Sequence, residues 1–205
     1  QNYNNSNYII LDFNKKINVQ KIIDKINFKD YSNINLIFAA GYLENFSDRI
    51  NISEWKKVFN INLFAHLEIL NSLLPFLKKI NLESRVFFFS GGGAANDFSE
   101  FPAYSASKTA IVRTVENLSI KYKNYKISFI AIAPGAIKTR MLKKVLKHSK
   151  VSFKTTKKDI LEFINYYLIK SSIKLNGRLI HILDNKTKIN KNQNVNFLKL
   201  RRVEN

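Results

Sequence analysis

The feature that most limits what this chain can fold into is a regular alternation of short apolar runs with helically spaced segments. Asn35 to Gly41, Arg85 to Ser90, Ile127 to Ala133 and Leu179 to Leu183 are near-continuous apolar runs. Runs of this kind mark strands buried on both faces of a parallel sheet. Between them lie segments with helical periodicity: Ser53 to about Lys79, Pro102 to about Tyr122, and Lys157 to Ile169. Ser53 is the predicted cap of the first, and Pro75 is expected to bend its later part. An earlier pair is predicted as a strand at Tyr8 to Asp12 and a helix at Val19 to Ile26. The alternation predicts an α/β fold with a doubly wound parallel sheet, three layers deep, right-handed crossovers, and ligands at the carboxyl ends of the strands. Asp12, Gly41, Ser90 and Pro134-Gly135 each end a predicted strand, so four segments are expected to converge on one crevice.

With 205 residues, 45% of them hydrophobic, the chain is expected to hold one core. A single domain is predicted over residues 1–185, followed by a polar, basic tail over 186–205. The chain opens on Gln1 rather than Met, which reads as a processed or partial sequence, and nothing resembles a signal peptide. No apolar run approaches the ~18 residues that cross a bilayer, so a soluble, membrane-free protein is expected. The absence of cysteine fits a cytoplasmic setting, and the scattered His66, His148 and His181 show no metal-ligand spacing. The net charge of +19 invites a polyanion partner. Only seven of the 34 basic residues are Arg, however, and Asn and Ile are equally abundant, so the charge reads as whole-chain bias rather than specific nucleic-acid recognition.

The segment Tyr104-Ser105-Ala106-Ser107-Lys108 carries the chemistry. Four residues apart on a helix, the phenol and the ammonium share one face. A free tyrosine has a pKa of about 10, so acid/base work near neutrality calls for a shift of roughly 3 units, or about 4 kcal/mol. A cation at ~4 Å in a medium of effective dielectric ~20 supplies about that much, and Lys108 is the expected source. Fourteen residues before Tyr104 a strand ends in Ser90, and beyond the helix another ends in Pro134-Gly135-Ala136-Ile137-Lys138-Thr139.

The ordered set Ala40-Gly41, Asn62, Ser90-Gly91-Gly92-Gly93-Ala94, Tyr104-x-x-x-Lys108, Pro134-Gly135 and Thr139 resembles the short-chain dehydrogenase/reductase family from about Tyr8 to Leu183. The resemblance implies a Rossmann-like sheet and hydride transfer between NAD or NADP and a carbonyl/alcohol substrate, either a small molecule or acyl-linked. It implies that Tyr104 is the general acid/base, that Ser90 polarises the substrate oxygen, and that Lys108 lowers the Tyr104 pKa while holding the nicotinamide ribose. Asn62 would fix a water linking Lys108 to solvent. For the cofactor, the resemblance implies adenine contact by Asp12, a close backbone approach at Ala40 and Gly41, and a nicotinamide site lined by Pro134, Gly135, Ile137 and Thr139. The family's opening βαβ unit, with its Gly-rich pyrophosphate turn and ribose selector, is expected to be missing upstream of Gln1, so the resemblance does not choose between NAD and NADP. Ala39 stands where the family usually has Asn.

Two further expectations concern partners. The cations at Arg140, Lys143, Lys144, Lys147, Lys150, Lys154, Lys157 and Lys158 are read either as favouring an anionic substrate or as a solvated face. The apolar residues of the Ser53–Lys79 and Pro102–Tyr122 helices exceed what one sheet-facing stripe requires, which predicts a homodimer or homotetramer built on them. A different class of reading is a cofactor-free scaffold or binding protein in which the catalytic residues are relics.

Overall fold

The computed structural model describes residues 9–28, 31–150, 155–169 and 175–184. Tyr8 and the tail predicted over 186–205 lie outside them. Four strands form one parallel sheet: β1 (Leu36–Phe38), β2 (Ser84–Phe89), β3 (Ile127–Ala133) and β4 (Arg178–His181), in the spatial order β1-β2-β3-β4. The helices are α1 (Gln20–Ile23), α2 (Ile52–Phe59), α3 (Ala65–Leu77), α4 (Pro102–Lys121), α5 (Arg140–Val145) and α6 (Lys157–Ile169). A π-helical segment, Asn60–Phe64, joins α2 to α3 without a break. It brings Asn62, a polar residue, into the interior.

Side chains alternate across the sheet, and each face collects its own core. Val86, Phe88, Phe129 and Ala131 pack with Leu70, Leu73, Ile111, Val112 and Val115 from α3 and α4. Phe87, Ile130, Ile132 and Ile180 pack with Phe163, Ile164 and Tyr167 from α6. Helices therefore cover both faces, giving the three layers expected. The strands advance in one direction, but the first two connections cross the α3/α4 face and the third crosses the α6 face. With parallel strands that reversal of face reverses the hand. The connection from β3 to β4 is opposite in hand to the two before it, so the crossovers do not all share the right hand expected of them.

Several other expectations need correction. Residues 9–12 form no strand, because no described strand offers them a ladder. The helix expected over Val19–Ile26 is the single turn α1. Asn51 rather than Ser53 caps α2, its Oδ1 accepting from the Ser53 and Glu54 amides at 3.1 and 3.2 Å. The helix α5 was not foreseen; Thr139 starts it by accepting from the Leu142 amide. Of the apolar residues behind the expected helix pairing, Leu63, Leu70, Leu74, Leu77, Ile111, Val112 and Val115 are buried within the chain, whereas Phe64 and Ile120 are exposed.

One buried residue makes the fold sensitive to acid. His66 on α3 is 1% exposed and sits among Phe13, Phe38 and Phe88, with ring centroids 5.8, 5.0 and 6.4 Å away. Neither ring nitrogen completes a hydrogen bond. Burial, then the nearby Lys108 charge, holds its pKa down at about 4, and the Asn62 backbone favours the charged form too weakly to offset them. An unfolded histidine takes up its proton near pH 6.5 and the folded one only near 4, so stability falls as the pH drops through that window, by about 3 kcal/mol. Denaturant melts at pH 7, 5.5 and 4 are expected to show a flatter pH dependence for His66→Phe than for the parent protein. Equal slopes would contradict a neutral buried imidazole.

Candidate active site

Two hydrogen bonds running in opposite directions join β2 to α4. Lys108 Nζ donates to the Phe89 carbonyl at 2.8 Å, and Ser90 Oγ donates to the Lys108 carbonyl at 3.0 Å. Both residues are buried. A buried ammonium needs acceptors in place of water, and the end of a parallel strand supplies one. Burial nevertheless draws Lys108 down to about 8.

Tyr104 lies one turn before Lys108, whose Nζ is 5.4 Å from the centre of the phenol ring. A methyl group placed on Gly91 would come within 3.3 Å of Tyr104 Oη and 4.0 Å of Lys108 Cγ, so this glycine lets the strand end approach the phenol. Tyr104 packs against an apolar cluster of Leu43, Phe101, Leu142 and Val145 that Phe98, Ala136 and Met141 also join, the Phe98 ring edge-on to it at 6.3 Å. Here the electrostatics differ from expectation. Burial, with the Glu44 charge adding to it, pushes the Tyr104 phenol up to about 12 rather than down. Lys108 directs its ammonium at the Phe89 carbonyl, and a single cation so engaged does not offset the apolar packing of the phenol.

Asn62 and Gly41 close the other side. A methyl group on Gly41 would lie 3.7 Å from each of Asn62 Oδ1, Lys108 Nζ and Met141 Cε. Asn62 is fully engaged: its Oδ1 accepts from the Tyr42 amide at 2.7 Å, while Nδ2 donates to the Tyr42 carbonyl at 3.0 Å and to Ser107 Oγ at 2.9 Å. Both amide protons are thus committed to protein groups, and the side chain ties the segment after β1 to α4. Ala40 and Gly41 themselves are exposed.

At the carboxyl end of β3, Gly135 takes φ +72°, and a side chain there would come within 2.8 Å of Thr155 Oγ1 and 3.1 Å of His181 Nε2. Only glycine fits such a turn without strain. Pro134 and Ile137 are half-buried beside it, and Thr139 is exposed with its hydroxyl oxygen capping α5. The structure thus gathers Gly41, Asn62, Ser90, Tyr104 and Lys108 into one cluster, with Met141 reaching toward it from α5. Asp12 is exposed, accepts from the Asn14 amide at 2.9 Å, and places its charge near Lys57 of α2. Sequence reasoning missed Glu44, whose carboxylate accepts from the Ala103 and Tyr104 amides. No local pattern announces it, since it acts on a helix about sixty residues away. Met141 was equally hidden, inside a run read only for its charge.

The short chain dehydrogenase family model matches residues 2–150. A benzil reductase from Saccharomyces cerevisiae that forms (S)-benzoin is 24% identical over 144 residues, covering 67% of this chain and 55% of that protein. An oxidoreductase from Schizosaccharomyces pombe is 31% identical over 128 residues, covering 62% and 49%. The chain spans about half the length of the curated relatives it matches. Among solved structures, a short chain dehydrogenase from Salmonella enterica serovar Typhi superposes with a TM-score of 0.73 at 21% identity, covering 84% of this chain and 72% of that one. One from Shigella flexneri complexed with NADP gives 0.73 at 23% identity, covering 85% and 74%. These structures share the fold, and the family match spans most of the chain, including every residue of the cluster around Tyr104: the chain belongs to the short chain dehydrogenase family.

Proposed function

We propose that the protein is a nicotinamide-dependent oxidoreductase interconverting a carbonyl and its alcohol, with Tyr104 giving and taking the proton. The observation that carries this reading is the meeting of the Tyr104 phenol with Gly91 and the Lys108 ammonium, below the open, side-chain-poor surface of Ala40 and Gly41. That surface fits a flat ring and ribose: the backbone can be approached closely, and Lys108 Nζ stands beside Gly41 as a hydrogen-bond donor. NAD or NADP, when bound, supplies the hydride. Pro134, Gly135, Ile137 and Thr139 would border its nicotinamide half, and Asp12 its adenine. A solved relative of this fold carries NADP and another NADH, which supports the choice of cofactor class.

The roles follow from the geometry. With its pKa near 12, Tyr104 holds its proton at neutral pH and gives it from Oη to the substrate oxygen as the carbonyl carbon is reduced. The phenolate so formed is stabilised by the Lys108 ammonium. Ser90 has one hydroxyl proton, now on the Lys108 carbonyl, so polarising a substrate oxygen requires that hydroxyl to turn. The Asn62 side chain fixes the segment after β1 against α4, so a water linking Lys108 to solvent would be held by the Asn62 backbone. The apolar wall of Leu43, Phe98, Phe101 and Met141 suits a carbonyl with apolar or aromatic flanks. Two of the relatives are named for benzil reduction, in keeping with such a substrate.

Tyr104→Phe is expected to abolish turnover while leaving dinucleotide affinity nearly unchanged, and Lys108→Met to impair both. Fluorescence titration and steady-state rates on the natural protein carrying this sequence check this, and near-normal turnover in Tyr104→Phe overturns the reading. The reductive kcat/KM is also expected to fall as the pH rises through about 8, because Lys108, held there by burial, loses its charge. A flat profile from pH 7 to 10 contradicts that role.

We further infer self-association through the face of the α2–α3 helix, where Phe64 is 55% exposed and Leu67, one turn on, is half-buried. An exposed aromatic beside a second apolar residue is the kind of surface a twofold copy covers. Light scattering is expected to show a dimer or tetramer that Phe64→Arg dissociates with the fold intact. A persistent monomer at high micromolar concentration removes the inference.

A further inference from the structure

The N-terminus of α4 has an incomplete local cap. Phe101 stands at the cap position with no side-chain bond, and Pro102 at the first helical position has no amide proton. The Ser105 amide already bonds to the Phe101 carbonyl at 3.0 Å. Two orphan donors remain in the first turn, Ala103 N–H and Tyr104 N–H. Both are taken by one distant side chain. Glu44 Oε1 accepts from Ala103 at 2.7 Å and from Tyr104 at 3.1 Å, and Oε2 accepts from Tyr104 at 3.0 Å.

Glu44 is 5% exposed, a depth at which a carboxylate needs several donors. The helix N-terminus provides them together with its partial positive charge. The same short segment, Gly41 to Glu44, is held a second time by the paired bonds between Tyr42 and Asn62. The surface under Gly41 and the backbone of Tyr104 are thereby fixed to each other by a bridge of four residues.

We propose that Glu44 is a positioning residue for proton transfer: by capping α4 from the far side of the crevice, its carboxylate sets the place of Tyr104 relative to Gly91, Lys108 and the Gly41 surface. The proposal rests on the reading of Tyr104 as the proton-transfer group. Glu44 also acts through its charge, which adds to burial in keeping the phenol protonated. The elements around Tyr104 bring few other charges to bear. The segment after β1 brings Glu44 and α4 brings Lys108, whereas the β2 end brings Ser90 and Gly91, and the β3–α5 side brings Ala136, Met141 and Leu142, all uncharged. His148 stacks on Phe46 and lies edge-on to Phe101, one residue layer further out.

The test reads the phenol directly. Tyrosine ring-carbon NMR titrations of the chain, with the Tyr104 signal identified by its loss in Tyr104→Phe, are compared for the parent, Glu44→Gln and Glu44→Asp. Gln keeps an oxygen for the amides but removes the charge, so the Tyr104 midpoint is expected to fall by about one pH unit. Asp, which keeps the charge, is expected to hold it near the parent value. In the natural protein, Glu44→Gln is expected to lower kcat about tenfold with dinucleotide affinity little changed. Should Glu44→Gln not fold, the parent alone suffices: the Ala103 and Tyr104 amides, as donors to a buried carboxylate, are expected to be protected from hydrogen exchange. An unchanged Tyr104 midpoint in folded Glu44→Gln, or Ala103 and Tyr104 amides that exchange freely, overturns the proposal. A parent protein without turnover refutes the oxidoreductase reading instead, and leaves the titrations to judge Glu44 on their own.

Discussion

The site depends above all on an ammonium buried to 3% exposure. Lys108 cannot be solvated where it lies, so its Nζ takes the Phe89 carbonyl at the end of β2, and Ser90 answers with a bond to the Lys108 carbonyl. This reciprocal pair fixes the register of α4 against the sheet. Tyr104, one turn earlier, then has no choice but to face Gly91. The cost of that burial is visible in Lys108 itself, drawn down to about 8, close to the range in which a proton can be exchanged.

From this pair the rest of the crevice is assembled by polar ties between segments far apart in sequence. Asn62, made inward-facing by the π segment, holds Tyr42, and Glu44 holds the first turn of α4. Gly135, confined to a left-handed backbone, lets the β3 end turn against Thr155 and His181. Aromatic and aliphatic side chains, Phe98, Phe101 and Leu142 among them, pack beside these ties and the partly buried Tyr104. In such a setting a proton-bearing phenol and a single cation act on each other more strongly than they would in water.

Much of this was legible in the sequence. The runs Ile127–Ala133 and Lys157–Ile169 matched β3 and α6 in full, because each is long, periodic and bounded by clear breakers. The Tyr104–Lys108 spacing placed both groups on one helix face, since four residues make about one turn. What escaped was set by tertiary structure. Tyr8–Asp12 has the composition of a strand, yet residues 9–12 have no partner strand among the described residues. The opposite hand of the last crossover follows from which face of the sheet α6 covers, and the phenol's raised pKa from its burial and from the Glu44 charge, neither of which a linear pattern encodes. Glu44 was invisible because capping across some sixty residues leaves no periodic trace.

Whether this geometry carries out carbonyl reduction is tested most directly by following the hydrogen itself. The natural protein carrying this sequence would be incubated with a nicotinamide dinucleotide deuterated at the transferable position and an aryl diketone, and the alcohol analysed by mass spectrometry. The expected product carries one deuterium on the carbinol carbon and an exchangeable hydroxyl proton. Alcohol formed without deuterium on that carbon, or no alcohol from any apolar carbonyl offered, would contradict the role given to Tyr104 and Lys108.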